Sequence, residues 1–331
     1  LGMLAGPKDG SGHFQREFLR EVAAYEAATG GTVTAFFAYG NAYGDRQLAT
    51  AQIAPKDSVT FGWRTLPDDR TASFMEVRAT GPVEIGLIAP GETVPQSWTA
   101  PGAGECIALH NDAGEAIGWA LGQTSALYGA DGGLDWSADG VVVALRPTSP
   151  DLGRAAFRAG LWQVVVRSGG AAPVDVTAQI QSGSTPPGYA PHGRQSYFES
   201  PQRDAGVKVT DAGSYTALAP HSSDRVKTVA AAAFGGAEPM AYSSQGGTFA
   251  VNHAPDFAVV VEDGFLSGGF LAAGTRTGSM ARIGGTSAAA AIAAGLEADR
   301  LTRGQAAKPL TDDADPRLGR AVFHSKTATT T

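Results

Sequence analysis

Between residues 55 and 182 the chain carries eight short strand-like runs and no stretch of helical periodicity, and this constrains the fold more than any other feature. The runs are Val59–Arg64, Ser73–Arg78, Val83–Ala89, Glu105–His110, Ala116–Leu121, Val141–Leu145, Leu161–Arg167 and Val174–Ile180. Clusters of Gly, Pro, Asp and Ser separate them, as turns between short strands require. Runs spaced in this way predict a β-sandwich or jelly roll. Five tryptophans fall in or near them: Trp63, Trp98, Trp119, Trp136 and Trp162. They read as core aromatics, with carbohydrate stacking as the alternative. Cys106 reads as a buried core residue.

The flanks have a different pattern. Within residues 1–54, Ser11 is placed to cap a helix whose apolar face is Phe14, Phe18, Val22 and Tyr25. Gly30-Gly31 stops it, and the run from Thr32 to Ala38 suits a buried parallel strand. Residues 183–225 are rich in Pro, Gly and Ser and read as a loop. Residues 226–331 resume the first pattern, with strands expected over Val226–Ala233 and Phe257–Val261 and a helix over 286–303. The first ten residues of that helix are small and apolar, which predicts burial on every side. The length of 331 residues fits about two domains. The expected fold class is α/β: a parallel-sheet domain, present in part, carrying an inserted all-β sandwich.

Charge and cysteine usage exclude several functions. The net charge of −7 argues against a nucleic-acid partner and against an anionic membrane surface. A single cysteine excludes an internal disulfide and any zinc site built on several cysteines. No apolar run reaches the length needed to span a bilayer as a helix.

The sharpest chemical segment is Gly284-Gly285-Thr286-Ser287, followed by four alanines. A glycine pair permits a tight turn and close approach of a ligand. The helix that follows presents unsatisfied N–H groups and a partial positive charge beside the serine. Taken alone, the segment reads as an ordinary serine at the start of an alanine-rich helix. Tyr39-Gly40-Asn41 ends the first strand, where α/β sheets place their sites. Asn41 alone reads as a cap or turn residue.

Together these segments resemble the subtilisin-like serine protease family. Gly285-Thr286-Ser287-Ala288-Ala289 is similar to the block around the family's nucleophile, and Tyr39-Gly40-Asn41 to its Ala-Gly-Asn block. Tyr242-Ser243-Ser244-Gln245-Gly246 is similar to its Phe-Ser-Ser-x-Gly block, and Pro255-Asp256-Phe257 to a strand start. Leu1-Gly2 resembles the end of a Ser-Leu-Gly segment. The blocks occur in the family's order and span about 1–50 and 205–320. Some relatives carry a jelly-roll insertion where 55–182 lies.

The resemblance implies a serine endopeptidase acting on a peptide or protein substrate. Ser287 is then the nucleophile and Asn41 the oxyanion donor, with Leu1, Gly2, Ala38, Tyr39 and Gly40 lining the substrate cleft. Tyr39, bulkier than the family's usual residue, implies a small or shallow P1 preference. Ala291 and Ile292 stand where the family usually has Pro and His. No cofactor is implied. Asp312-Asp313-Ala314-Asp315 reads as an exposed acidic turn, or, by family habit, as a structural calcium site. Secretion or a periplasmic location is likewise only family habit.

The triad is incomplete. In this family the chain order is Asp, His, Ser. None of His13, His110, His192, His221, His253 and His324 sits in a His-Gly-Thr context, and no Asp-Ser-Gly or Asp-Thr-Gly block occurs. Two readings follow. In one, the acid and base lie on a complementary N-terminal portion or partner chain, separated by cleavage, and this chain, opening on Leu1-Gly2-Met3, is one piece of a longer product. In the other, the protein is a catalytically inactive scaffold or binding protein on a protease fold. The first reading predicts an exposed sheet edge that a partner chain covers.

Overall fold

The computed structural model describes residues 13–95, 98–110, 113–128, 134–149, 158–181, 183, 193–199, 206–210, 225–246, 254–264, 268–306, 310 and 314–324. Among these the chain is mostly β, with eighteen strands and two helices. It divides into two units, one formed by Leu1–Gly44 with Ala212–Thr331 and the other by Asp45–Asp211.

The first unit opens with α1 (His13–Thr29) and β1 (Ala35–Ala38). The second unit contributes β2 (Leu48–Ile53), β3 (Ser58–Thr65), β4 (Ser73–Ala79), β5 (Val83–Ile88), β6 (Trp98–Thr99) and β7 (Cys106–His110). It continues with β8 (Ala116–Tyr128), β9 (Leu134–Leu145), β10 (Gly160–Ser168), β11 (Val174–Ile180), β12 (Tyr197–Glu199) and β13 (Val207–Thr210). The chain returns to the first unit with β14 (Val226–Ala232), β15 (Phe257–Val260), β16 (Phe270–Ala273), β17 (Met280–Ile283), α2 (Thr286–Thr302) and β18 (Val322–Phe323).

In the first unit β1, β14, β15 and β18 form a parallel sheet in that order. Strand alternation sends neighbouring residues to opposite faces. Phe37 meets α1 through Phe18, with the rings edge-on at 5.5 Å, while Phe36 belongs to the cluster around α2. There Ala288, Ala289, Ala290 and Ala293 pack on Val229, Ala231, Phe257 and Val259. The small alanine side chains of the helix let its backbone approach the sheet closely. The helix is not buried all round: Ser287, Ala291 and Ala294 are exposed, against the sequence expectation. The expected fold class was α/β; among the described residues the chain is predominantly β, with one parallel sheet and two helices. The hairpin β16–β17 forms its own two-stranded sheet just before α2.

The second unit consists of two antiparallel sheets. One has the order β12-β3-β10-β5-β6 and the other β13-β2-β11-β4-β9-β8-β7. Both contribute to one apolar cluster that includes Trp63, Phe61, Met75, Leu87 and Trp162. The eight strand-like runs all appear as strands. The unit begins at residue 45 and ends at 211, whereas the sequence suggested 55 and 182. The reason is that β2 pairs with β11 and β13, and β12 pairs with β3. The expected loop 183–225 therefore contains β12 and β13, and the expected first segment 1–54 contains β2. Cys106 is exposed rather than buried. Trp63 and Trp162 are core residues, whereas Trp98 and Trp119 are partly exposed; the side chain of Trp136 lies outside the described residues.

Candidate active site

The site begins where β1 and α2 meet. β1 is followed by Tyr39-Gly40-Asn41, and α2 starts after Gly285. Gly285 has φ 93° and ψ 161°, a backbone region open essentially to glycine alone. A Cβ there would also lie 3.2 Å from Asn41 Nδ2. The glycine is thus required both by its dihedrals and by the close passage of Asn41.

Thr286, fully buried, ties the two elements together. Its backbone N–H and its hydroxyl both donate to Asn41 Oδ1, each at 2.8 Å. Its hydroxyl in turn accepts the Gly40 N–H at 3.2 Å. Since a backbone N–H must meet an acceptor, these bonds fix the Asn41 amide with Oδ1 on Thr286 and Nδ2 on the other prong. Asn41 thereby caps α2 from the loop after β1.

The remaining first-turn donors can be followed one by one. The N–H groups of Ala288 and Ala289 both donate to the Gly285 carbonyl at 3.1 Å. Among the described residues, that leaves the Ser287 N–H and Asn41 Nδ2 without acceptors. Both belong to exposed residues, and so does the Ser287 hydroxyl. Two open donors and a hydroxyl at a helix N-terminus can hold a developing negative charge beside a nucleophile.

A second layer lies behind this turn. The Tyr242 hydroxyl accepts the Gly285 N–H at 2.7 Å. Burial pushes its phenol up from the ordinary value, with the Gly285 bond opposing and Glu262 adding to the rise. The Tyr242 carbonyl accepts the Tyr43 N–H at 3.0 Å, and the Ser244 N–H donates to the Gly40 carbonyl at 3.0 Å. The Ser244 hydroxyl accepts the Ala42 N–H at 3.3 Å, and the Ser243 hydroxyl accepts the Ala231 N–H at 3.1 Å. Arg317 donates to the carbonyls of Met240 at 2.7 Å, Ala241 at 3.1 Å and Ser243 at 3.1 Å. Its guanidinium stacks 3.6 Å from the centre of the Tyr43 ring.

The structure thus brings Ser287, Asn41 and Gly40 together. Ala38 is buried at the end of β1. Tyr39 is 0% exposed, so its ring is enclosed by protein and does not crowd an open cleft, contrary to expectation. Leu1 and Gly2 lie outside the described residues. Pro255-Asp256-Phe257 is structural: the Asp256 carboxylate accepts the Thr228 N–H at 2.7 Å and its hydroxyl at 3.0 Å, at the amino ends of β14 and β15. His192, His221, His253 and the His13 side chain lie outside the described residues. His110 is exposed in the second unit, and His324 follows β18 beside Gly236. Asp312 and Asp313 are also outside the described residues. Asp315 Oδ1 accepts the N–H groups of Arg317 and Leu318, both at 2.8 Å. Among the described residues no group of three or more His, Cys, Asp or Glu is arranged to hold a metal ion. No described helix is long and apolar enough to cross a membrane. Arg317, the Tyr242 hydroxyl and the Thr286 hydroxyl carry geometry that sequence reasoning missed.

The fold and the site define a protein with a parallel sheet, a helix-borne serine and a second, all-β unit. No protein-family model matches the chain, and no curated protein gives a significant match. Among solved structures the chain is similar to the CspB protease of Clostridium perfringens, with a TM-score of 0.62 and 12% sequence identity. That alignment covers 98% of this chain and 64% of the protease chain. At this identity the likeness is one of fold.

Proposed function

We propose that this chain carries the nucleophile and oxyanion hole of a subtilisin-like serine endopeptidase. The observation that carries the reading is the pair of donors, Ser287 N–H and Asn41 Nδ2, left open beside an exposed Ser287. The Ser287 hydroxyl attacks the substrate carbonyl, and the two donors hold the oxyanion of the tetrahedral intermediate. Collapse expels the amine and leaves an acyl-enzyme, which water hydrolyses. The protease fold of the structural neighbour supports the class. The strand orders β2-β11-β4-β9 and β3-β10-β5-β6 support the jelly-roll reading of the second unit.

A base must take the serine proton. In this proposal a complementary portion carrying the Asp and His supplies it. The position of β1 favours this. Among the described residues β1 has a strand on one side only. Ala35 and Tyr39 send their N–H groups toward β14, so alternation turns those of Phe36 and Ala38 toward the open edge.

Peptide hydrolysis by the chain assembled with its complementary portion tests the proposal. Ser287→Ala is expected to abolish turnover. Asn41→Leu is expected to lower kcat about 10²–10³-fold with little change in KM, a magnitude measured on subtilisin rather than on this chain. Turnover that survives Ser287→Ala would remove Ser287 from the nucleophile's role, and absence of turnover by the unaltered assembly would favour the scaffold reading.

A further inference from the structure

We infer that Arg317 and Tyr242 are positioning residues, through which the segment 315–319 sets the geometry of the Gly285–Ser287 turn. This rests on the protease reading for its functional consequence, but its structural content stands on separate contacts.

Arg317 reaches three backbone carbonyls of one turn, at Met240, Ala241 and Ser243, and lays its guanidinium on Tyr43. Burial pulls the Arg317 pKa downward, so desolvation works against the charge. Three carbonyl acceptors and an aromatic face offset it. Arginine suits the position because its planar fork serves several acceptors at once, which an ammonium does not.

The arginine is itself held at both ends. Asp315 Oδ1 accepts the Arg317 and Leu318 N–H groups. Asp315 and Gly319 exchange backbone bonds at 3.0 and 2.9 Å, and the Pro316 carbonyl accepts the Gly246 N–H at 2.7 Å. Gly319 has φ 71°, and a Cβ there would lie 2.4 Å from the Pro255 carbonyl oxygen. The segment is therefore seated against the backbone on two sides.

The turn held by Arg317 delivers Tyr242, whose hydroxyl accepts the Gly285 N–H. The same turn bonds the Tyr43 N–H through the Tyr242 carbonyl. Arg317 thus reaches the nucleophile turn through the Tyr242 hydroxyl, and the loop after Asn41 through Tyr43. It touches neither Ser287 nor Asn41 directly. Loosening it would move the two open donors relative to each other, and catalysis is sensitive to displacements of about 1 Å.

The test is amide hydrogen exchange at Gly285, measured by NMR, together with fluorophosphonate modification of Ser287. Tyr242→Phe keeps the ring and removes the acceptor. Arg317→Lys keeps the charge and removes the fork. Both variants are expected to speed Gly285 exchange about 5–10-fold, the loss of one ordinary hydrogen bond. Both are also expected to lower the maximal rate of Ser287 modification while leaving half-saturation by the probe unchanged. Unchanged exchange at Gly285 in both variants would overturn the inference. If the unaltered protein, assembled with its complementary portion, does not react with the probe, the protease reading fails. The exchange arm then decides the positioning role alone.

Discussion

Gly285 is the residue on which the site's geometry turns. Its positive φ and the nearby Asn41 amide both exclude a side chain. Gly285→Ala is expected to destabilise the protein by about 1–3 kcal/mol and to abolish reaction of Ser287 with a fluorophosphonate. A stable variant with unchanged reactivity would show that the turn tolerates other backbones. Tyr242 gives a second prediction, on pH. Its phenol is held above the ordinary value of 10.0 chiefly by burial, so the folded state keeps the proton more tightly than the unfolded chain. Stability from this group is full below about pH 10 and falls as pH rises above it. Tyr242→Phe is therefore expected to flatten the alkaline loss in urea unfolding above about pH 10. Parallel curves for the two proteins would contradict this. The glycine turn before α2 was legible in the sequence, because a backbone such as that of Gly285 admits little but glycine. Arg317 was not, because its partners are backbone carbonyls, which every sequence supplies. Tyr39 was misread because bulk in a motif does not tell whether a ring faces a cleft or the protein interior.

The elements show a similar division. Strands β3–β5 and β7–β11 of the second unit stood out because Gly, Pro, Asp and Ser clusters frame each run, whereas β2, Leu48–Ile53, was not recognised. The short strands β6, β12, β13 and β18 did not stand out, since two to four residues carry no period. Their places are set by tertiary partners: β12 is held by buried Phe198 and by the Arg64–Glu199 ion pair. That bridge also draws the Glu199 carboxyl below its usual range. Helix α2 was expected at nearly its observed bounds, yet its burial was overestimated. Alanine runs read the same whether one side or all sides are covered. On its covered side the packing is tight, with Ala289 fully buried among the sheet residues. Ala289→Leu is expected to cost about 1–3 kcal/mol through overpacking, seen as a lower urea midpoint with an unchanged slope. A neutral result would mean that the helix–sheet interface has room the structure does not show.

At the scale of the whole molecule, fold likeness outlasts sequence likeness. Twelve per cent identity accompanies a TM-score of 0.62 with the CspB protease. Packing accepts many apolar residues of suitable volume, while Gly285 is restricted by its positive φ and by the close Asn41 amide. The order of elements was legible in outline: a parallel sheet interrupted by an all-β unit. The boundaries were not, because β2 joins the second unit by pairing across more than a hundred residues with β11. The side of β1 that has no strand among the described residues carries the partner proposal. The most direct test of the central claim is denaturing intact-mass analysis of the protein, purified from the organism that makes it, after fluorophosphonate treatment. The account predicts a companion chain or portion bearing the acid and base, and a single adduct on this chain that maps to Ser287. An assembly that includes that portion and carries no adduct, or an adduct at another residue, would contradict it.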